Sequence, residues 1–291
     1  MKKEWLAYYY GSLCILFWAL IPTISKYLLR ELDNLQILFY STVFSVVTLF
    51  VIILFQRKIL LFRNYSMKDY LWMFFLGFLG SYLYYVLLYG AFNLTTAAEG
   101  YILAYTWPII AVLLGVVVLN EKFTFLKIFA VFVSFMGAVV VFTKGNFIGF
   151  SLTNVSGNIL AILAAVTFAF FSIFGKKSKF DRTISAFVYW LAALVCISLT
   201  IPFFSSFKLF SFTAFFLLLI NGVIINGITY IFWFKALELG DTAKISNLLY
   251  LSPFLALIYI FLFLKEEILF SSIVGLVIIM IGIIIQSARK E

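Results

Sequence analysis

The sequence predicts an all-α integral membrane protein: ten transmembrane helices arranged as two inverted five-helix repeats, with both termini cytoplasmic. Three observations carry this expectation. The chain of 291 residues is 65% hydrophobic and 11% charged, with a mean hydropathy of +1.14, which is more apolar surface than a soluble domain hides. Its basic residues alternate loop by loop. Its second half repeats the landmarks of its first.

A hydrocarbon core about 30 Å thick takes about 20 apolar residues at a rise of 1.5 Å each. Ten segments meet that measure: 6–26, 35–55, 70–90, 99–119, 124–143, 157–175, 184–204, 211–233, 244–264 and 268–287. Met1-Lys2-Lys3-Glu4 followed by an apolar run resembles a secretion signal. No small-residue cleavage site follows it, so the run is expected to remain as the first span. With the N-terminus inside, 16 of the 21 Lys and Arg residues fall in cytoplasmic loops and 5 outside, as the positive-inside rule requires. A nine-span arrangement would scramble the alternation.

Shifted by 145 residues, the segment from Tyr89 to Val140 aligns without a gap on Phe234 to Ile285. Matching pairs include Ala91/Ala236, Tyr105/Tyr250, Pro108/Pro253, Glu121/Glu266 and Gly137/Gly282. Ordered landmarks of this kind mark an internal repeat. The halves are placed at 6–145 and 155–288 within one transmembrane domain. Five spans per half is an odd number, so the second half enters the membrane from the opposite face. Inverted repeats of this kind serve alternating access, with binding near the midplane.

Composition excludes several classes. There is no histidine, hence neither the usual proton shuttle nor the commonest metal ligand. Cys14 and Cys196 lie inside apolar runs without metal or redox spacing. No cofactor and no metal are expected, and the chain reads as no enzyme: a nucleophile with a base, or a deep acidic pair, is missing. The net charge of +9 belongs to cytoplasmic loops rather than to a nucleic-acid surface.

The site is expected around the two repeated prolines. A proline inside a helix removes a backbone hydrogen bond and clashes with the turn before it, at a cost of about 3 kcal/mol. Pro108 and Pro253 lie about 13 Å into their spans from opposite faces, and each is expected to free a carbonyl one turn back, on Ala104 and Leu249. Both are assigned as hinges beside a cavity, where irregular backbone is tolerated at membrane depth. Aromatic residues at similar depth form the expected lining: Trp18, Tyr84, Tyr85, Tyr101, Tyr105, Trp107, Phe168, Tyr230 and Tyr250. Tyr101 and Tyr105 share a helix face. Asn226 and Asn247 add amides at depth, and "NGVIINGITYIFW" combines amides and glycines where a helix can loosen. Thr167 and Ser172 are expected only to bridge helices. Glu99 and Lys244 are repeat mates at the mouths of the proline helices and stand as gate charges. Glu121 and Glu266 are expected to be structural, at helix N-termini.

"AYTWP" (104–108), "NEK" (120–122), "YIFWFKALELGDTAKISNLLYLSPFLAL" (230–257) and "LKEE" (264–267) resemble the drug/metabolite transporter superfamily, EamA-type. Tyr-x-Trp-Pro in span four and Tyr-x-x-Pro after "ALELGD" resemble its aromatic-amino-acid exporters. In span two this chain has Tyr40 and Ser41 where many members carry an arginine. The resemblance implies export from the cytoplasm through a cavity lined by spans 1, 3, 4, 6, 8 and 9, bordered by Tyr105, Trp107 and Tyr250. The expected activity is export or exchange of a small metabolite, aromatic or neutral amino acids first. Nucleosides, adenosyl compounds or drugs on the same fold are the alternative, and a scaffold or channel is the remote one. The expected partners are that substrate and the lipid bilayer of the inner or plasma membrane, with a monomer sufficient for transport. No Asp or His lies deep in a span, so uniport or weak coupling is expected, with Glu99 as the one proton acceptor.

Overall fold

Side-chain oxygens start the helices. Asp33 accepts from the amides of Leu35 and Gln36, each at 2.9 Å, and Ser66, Asn154, Asp181, Ser211 and Asp241 cap in the same way. Such caps satisfy the donors that a helix start leaves open. A computed structural model of the chain describes residues 2–95, 100, 103–122, 124–143, 145–146, 154–264 and 269–287. The apolar helices, in chain order, are α1 (Lys3–Ser25), α2 (Asn34–Phe55), α3 (Met67–Leu94), α4 (Trp107–Leu119), α5 (Phe125–Phe142), α6 (Val155–Lys177), α7 (Arg182–Phe204), α8 (Phe212–Leu239), α9 (Thr242–Phe263) and α10 (Phe270–Ser287). Seven of them, 22 to 28 residues long, are long and apolar enough to cross a membrane. The other three, α4, α5 and α10, are shorter, at 13, 18 and 18 residues. The protein is an all-helical, multi-pass membrane protein.

Packing neighbours come in mates five helices apart. The contact of α1 with α8 is matched by α6 with α3, α2–α8 by α7–α3, and α4–α6 by α9–α1. The α2–α7, α4–α9 and α5–α10 contacts map onto themselves. Small residues let the backbones close at these points, as in other membrane bundles. A β-carbon on Gly137 would stand 2.6 Å from the Gly275 carbonyl, and one on Gly282 would stand 2.7 Å from that of Ala130. Positions 130/275 and 137/282 are each 145 apart. One on Gly77 would lie 2.5 Å from the Tyr189 backbone, and one on Gly222 would overlap the Ser41 carbonyl. Gly77→Ala and Gly222→Ala are each expected to lower the unfolding midpoint, through overpacking worth about 1–3 kcal/mol. Gly90→Ala, whose β-carbon meets only the Leu160 methyl at 3.3 Å, is expected to leave it nearly unchanged.

Five spans depart from regular helix. α3 widens into a π-helix over Phe78–Leu83, and α8 does so over Ile220–Ile228. The loosening expected at "NGVIINGI" takes this form. π turns displace carbonyls from the i−4 ladder, and side chains collect them. Tyr230 Oη donates to Gly80 O (3.0 Å), Thr229 Oγ1 to Ile224 O (2.8 Å) and Trp18 Nε1 to Ile225 O (3.4 Å). The other three interruptions are two-residue breaks: Ala19–Leu20 in α1, Tyr105–Thr106 just before α4, and Leu249–Tyr250 in α9. Each stands within four residues of a proline, Pro22, Pro108 or Pro253. The 145-residue repeat pairs the last two. Pro22, in the apolar run of span one, stands beside its break in the same way. The carbonyl expected to be free on Leu249 is not free: Ser252 N–H takes it at 2.9 Å in a tightened turn.

Candidate functional site

The three proline breaks face one cavity. Its lining is Trp18 and Ile21 from α1, Tyr84 and Tyr85 from α3, Tyr105 and Trp107 at the α4 break, Phe168 from α6 and Leu249 at the α9 break. Phe168 is its hub. The ring lies 4.7 Å from Tyr84, 5.0 Å from Trp107 and 5.9 Å from Trp18, centroid to centroid. The Trp107 and Trp18 contacts are edge-on, an arrangement aromatic quadrupoles favour. The cavity volume is about 30 Å³. Ligand sites run to about 300–1,000 Å³, so the aromatic walls are closed on one another.

A buried second layer stands behind the lining. Trp233 meets Trp18 at 5.6 Å and Trp107 at 5.4 Å, and its Nε1 donates to Ser172 Oγ at 3.1 Å. Ser172 thus bridges helices as expected, whereas Thr167 bonds its own helix, at Ala164 O. Tyr85 Oη donates to Asn226 Oδ1 at 3.1 Å. Asn226 and Tyr230 therefore sit behind the lining rather than in it. Tyr250 is fully buried, and its hydroxyl donates to Tyr105 O at 3.2 Å, tying the two repeat-mate breaks together. Asn247 donates to Gly282 O of α10 at 3.3 Å, away from the cavity. Glu99 and Tyr101 lie outside the described residues. Ile21 and Leu249 complete the wall without having been expected there.

The five ion pairs among the described residues all lie at one end of the helices: Lys58–Asp181, Lys127–Asp241, Lys176–Glu121, Arg182–Glu238 and Lys244–Glu4. Lys244, expected as a gate charge, joins the starts of α9 and α1, at 3.2 Å from Glu4. Glu121 is more than a helix-end charge. Asn120 turns left-handed (φ 54°) after α4, and Glu121 N–H folds back to Gly115 O at 3.2 Å. That reversal is a helix-ending motif that Asn tolerates. It puts the carboxylate where Lys176 Nζ donates at 2.9 Å and Thr242 Oγ1 at 2.6 Å. Lys176 also donates to Gly240 O at 3.0 Å. One ammonium thus latches the ends of α4, α6 and α8 to the start of α9. Glu266, the repeat mate of Glu121, lies outside the described residues.

Burial pushes the Asp241 carboxyl up, but the Lys127 hydrogen bond, the Lys244 amide and the charges of Lys127 and Lys176 outweigh it and hold it low. Asp181 is held low against burial in the same way by Lys58 and the amides of Ile184 and Thr183. Carboxylates held low stabilise the fold above the unfolded value of about 4, and that contribution is lost as pH falls through the lowered values. The unfolding midpoint of the detergent-solubilised protein is therefore expected to hold between about pH 7 and 5 and to fall below about pH 4. Asp181→Asn with Asp241→Asn is expected to start lower at pH 7 and to fall less.

Apolar helices that break beside a closed aromatic cavity, with ion pairs at one end of the helices, fit a membrane transporter. The model of the EamA-like transporter family matches the chain twice, over residues 5–143 and 155–288. An uncharacterised transporter of Archaeoglobus fulgidus is 26% identical over 284 residues, 96% of either chain. YoaV, an uncharacterised transporter of Bacillus subtilis, is 26% identical over 248 residues, 83% of this chain and 82% of its own. A solved crystal structure superimposes with a TM-score of 0.83 over 97% of both chains at 17% identity, a likeness of fold alone. The chain belongs to the EamA-like transporter family, and is a membrane transporter rather than an enzyme.

Proposed function

We propose that the protein is a ten-span secondary transporter of the cell membrane, with both termini in the cytoplasm, that exports or exchanges aromatic or other neutral amino acids. Residues 6–145 and 155–288 form its two inverted repeats, and these rock about the aromatic cavity. The observation that carries this reading is the convergence of three proline breaks on one cavity about tenfold too small for a ligand site. Such a cavity loads only if the broken helices move, and the breaks supply the hinges. The paired helix contacts and the double family match support the repeat. Each repeat has an odd number of spans, so mates run in opposite directions.

The end that carries the ion pairs is assigned to the cytoplasm, because its loops hold the excess of Lys and Arg. The Glu121–Lys176–Thr242 latch is then the closed inner gate, and Lys244–Glu4 reinforces it. Among the described residues the lining offers stacking faces and no carboxylate, which suits a flat neutral cargo better than a cation. Coupling to protons is weak or absent, with Glu99 as the one acceptor that the sequence offers.

Reconstituted vesicles test the assignment with labelled phenylalanine, tryptophan and nucleosides. Saturable amino-acid flux that a pH gradient does not drive uphill is expected. Nucleoside flux without amino-acid flux would reject the cargo, and uphill accumulation lost in Glu99→Gln would reject weak coupling.

A further inference from the structure

Two clefts meet at the charged end, outside the aromatic cavity. One, of about 300 Å³, is lined by Trp72, Phe174, Lys177 and Ser178. The other, of about 320 Å³, brings Lys176, Lys177, Lys179 and Arg182 against a single carboxylate, Glu238. Both include Lys177 and Ser178, so they form one groove with an apolar arm and a basic arm.

In the basic arm two cations are already committed. Lys176 holds Glu121, and Arg182 holds Glu238 at 2.8 Å while Nη1 donates to the carbonyls of Gly175 and Ser178, both at 3.0 Å. Lys177 and Lys179 are exposed and make no ion pair among the described residues. In the apolar arm the Trp72 ring stacks on Phe75 at 5.6 Å and meets Phe174 edge-on at 5.8 Å. Its Nε1 donates to Ser178 Oγ at 3.1 Å, which fixes the indole beside the lysines. Trp72 is five residues into α3, about 7.5 Å from the helix start, and Lys177 ends α6. Tryptophan at that depth sits at headgroup level, with Phe74 and Phe75 exposed beside it.

A small soluble anion uses only the basic arm. A molecule with a phosphate at one end and a hydrocarbon chain at the other uses both. We propose that the groove binds an anionic glycerophospholipid, its phosphate on Lys177 and Lys179 and a chain along Trp72 and Phe174. Basic pockets between helices at the cytoplasmic side bind such headgroups.

The test uses the full chain in neutral detergent, titrated with phosphatidylglycerol, with phosphatidylcholine of the same chains, or with inorganic phosphate. Retained lipid is counted by native mass spectrometry, and the unfolding midpoint is followed. Phosphatidylglycerol is expected to bind and raise the midpoint, and the other two are not. Lys177→Ala with Lys179→Ala is expected to weaken binding about thirtyfold, at about fivefold per lysine near an anionic surface, while its lipid-free midpoint matches that of the unsubstituted protein. Lys68→Ala with Lys122→Ala, an equal change of charge at exposed positions, is expected to bind normally. Three results would overturn the proposal: undiminished binding by the Lys177/Lys179 variant, equal binding of phosphatidylcholine, or inorganic phosphate alone reproducing the full shift.

Discussion

Glu121→Gln is expected to open the proposed inner gate at least tenfold more often than in the unsubstituted protein. The carboxylate is the acceptor on which Lys176 and Thr242 converge, at 2.9 and 2.6 Å, and both charged side chains are about one-sixth exposed. Breaking a fully buried pair costs about 3–5 kcal/mol, because the remaining charge is left uncompensated. Partial exposure and the Gly240 carbonyl soften that cost here. A residue of only about 1.4 kcal/mol still shifts the equilibrium tenfold. The readout is a cysteine at Tyr84, in a chain with Cys14 and Cys196 replaced by alanine. Its reaction with a membrane-impermeant maleimide from the proposed cytoplasmic side is expected to accelerate at least tenfold in Glu121→Gln. It is expected to slow from the other side, because the two openings draw on one population. An unchanged rate would reduce the latch to surface chemistry, and acceleration from both sides at once would describe a channel.

The second large effect is expected at Trp107. The indole is 5% exposed and wedged between Phe168 and Trp233 at 5.0 and 5.4 Å. Trp107→Ala is expected to remove most flux and to cost about 3–5 kcal/mol of stability, as aromatic-to-alanine changes in cores do. Trp5, 73% exposed, is the control, and Trp5→Ala is expected to change stability by about 0.5 kcal/mol or less. Trp107→Phe separates packing from transport: it is expected to keep the fold and lose part of the flux. Equal flux in Trp107→Ala and Trp5→Ala would make Trp107 a packing residue only.

The aromatic wall was legible because Trp18, Tyr84, Tyr85, Tyr105, Trp107 and Phe168 carry polar edges or large rings deep in their spans or beside a proline, where plain aliphatic residues suffice for packing. Ile21 and Leu249 were not, since an aliphatic side chain in a chain this apolar carries no signal of its own. Pro22 beside Ile21 was the available clue, and span one lacked the close repeat alignment that drew attention to Pro108 and Pro253. Asn226 and Tyr230 were read as lining because a polar group at depth needs a partner. Asn226 Oδ1 accepts from Tyr85 and Tyr230 donates to the Gly80 carbonyl, one layer back, where the π turns release acceptors. The latch was invisible for another reason. Glu121 and Lys176 are 55 residues apart, each an ordinary loop-edge charge in sequence, and only the left-handed turn at Asn120 brings the carboxylate to the lysine.

Transport by alternating access requires the latch to part in every cycle. The direct measurement is flux through vesicles holding a chain with Glu121→Cys and Lys176→Cys, again without Cys14 and Cys196, bridged by a short, reducible bifunctional thiol reagent. Bridging is expected to stop aromatic amino-acid flux and reduction to restore it. Undiminished flux through fully bridged protein would contradict the mechanism.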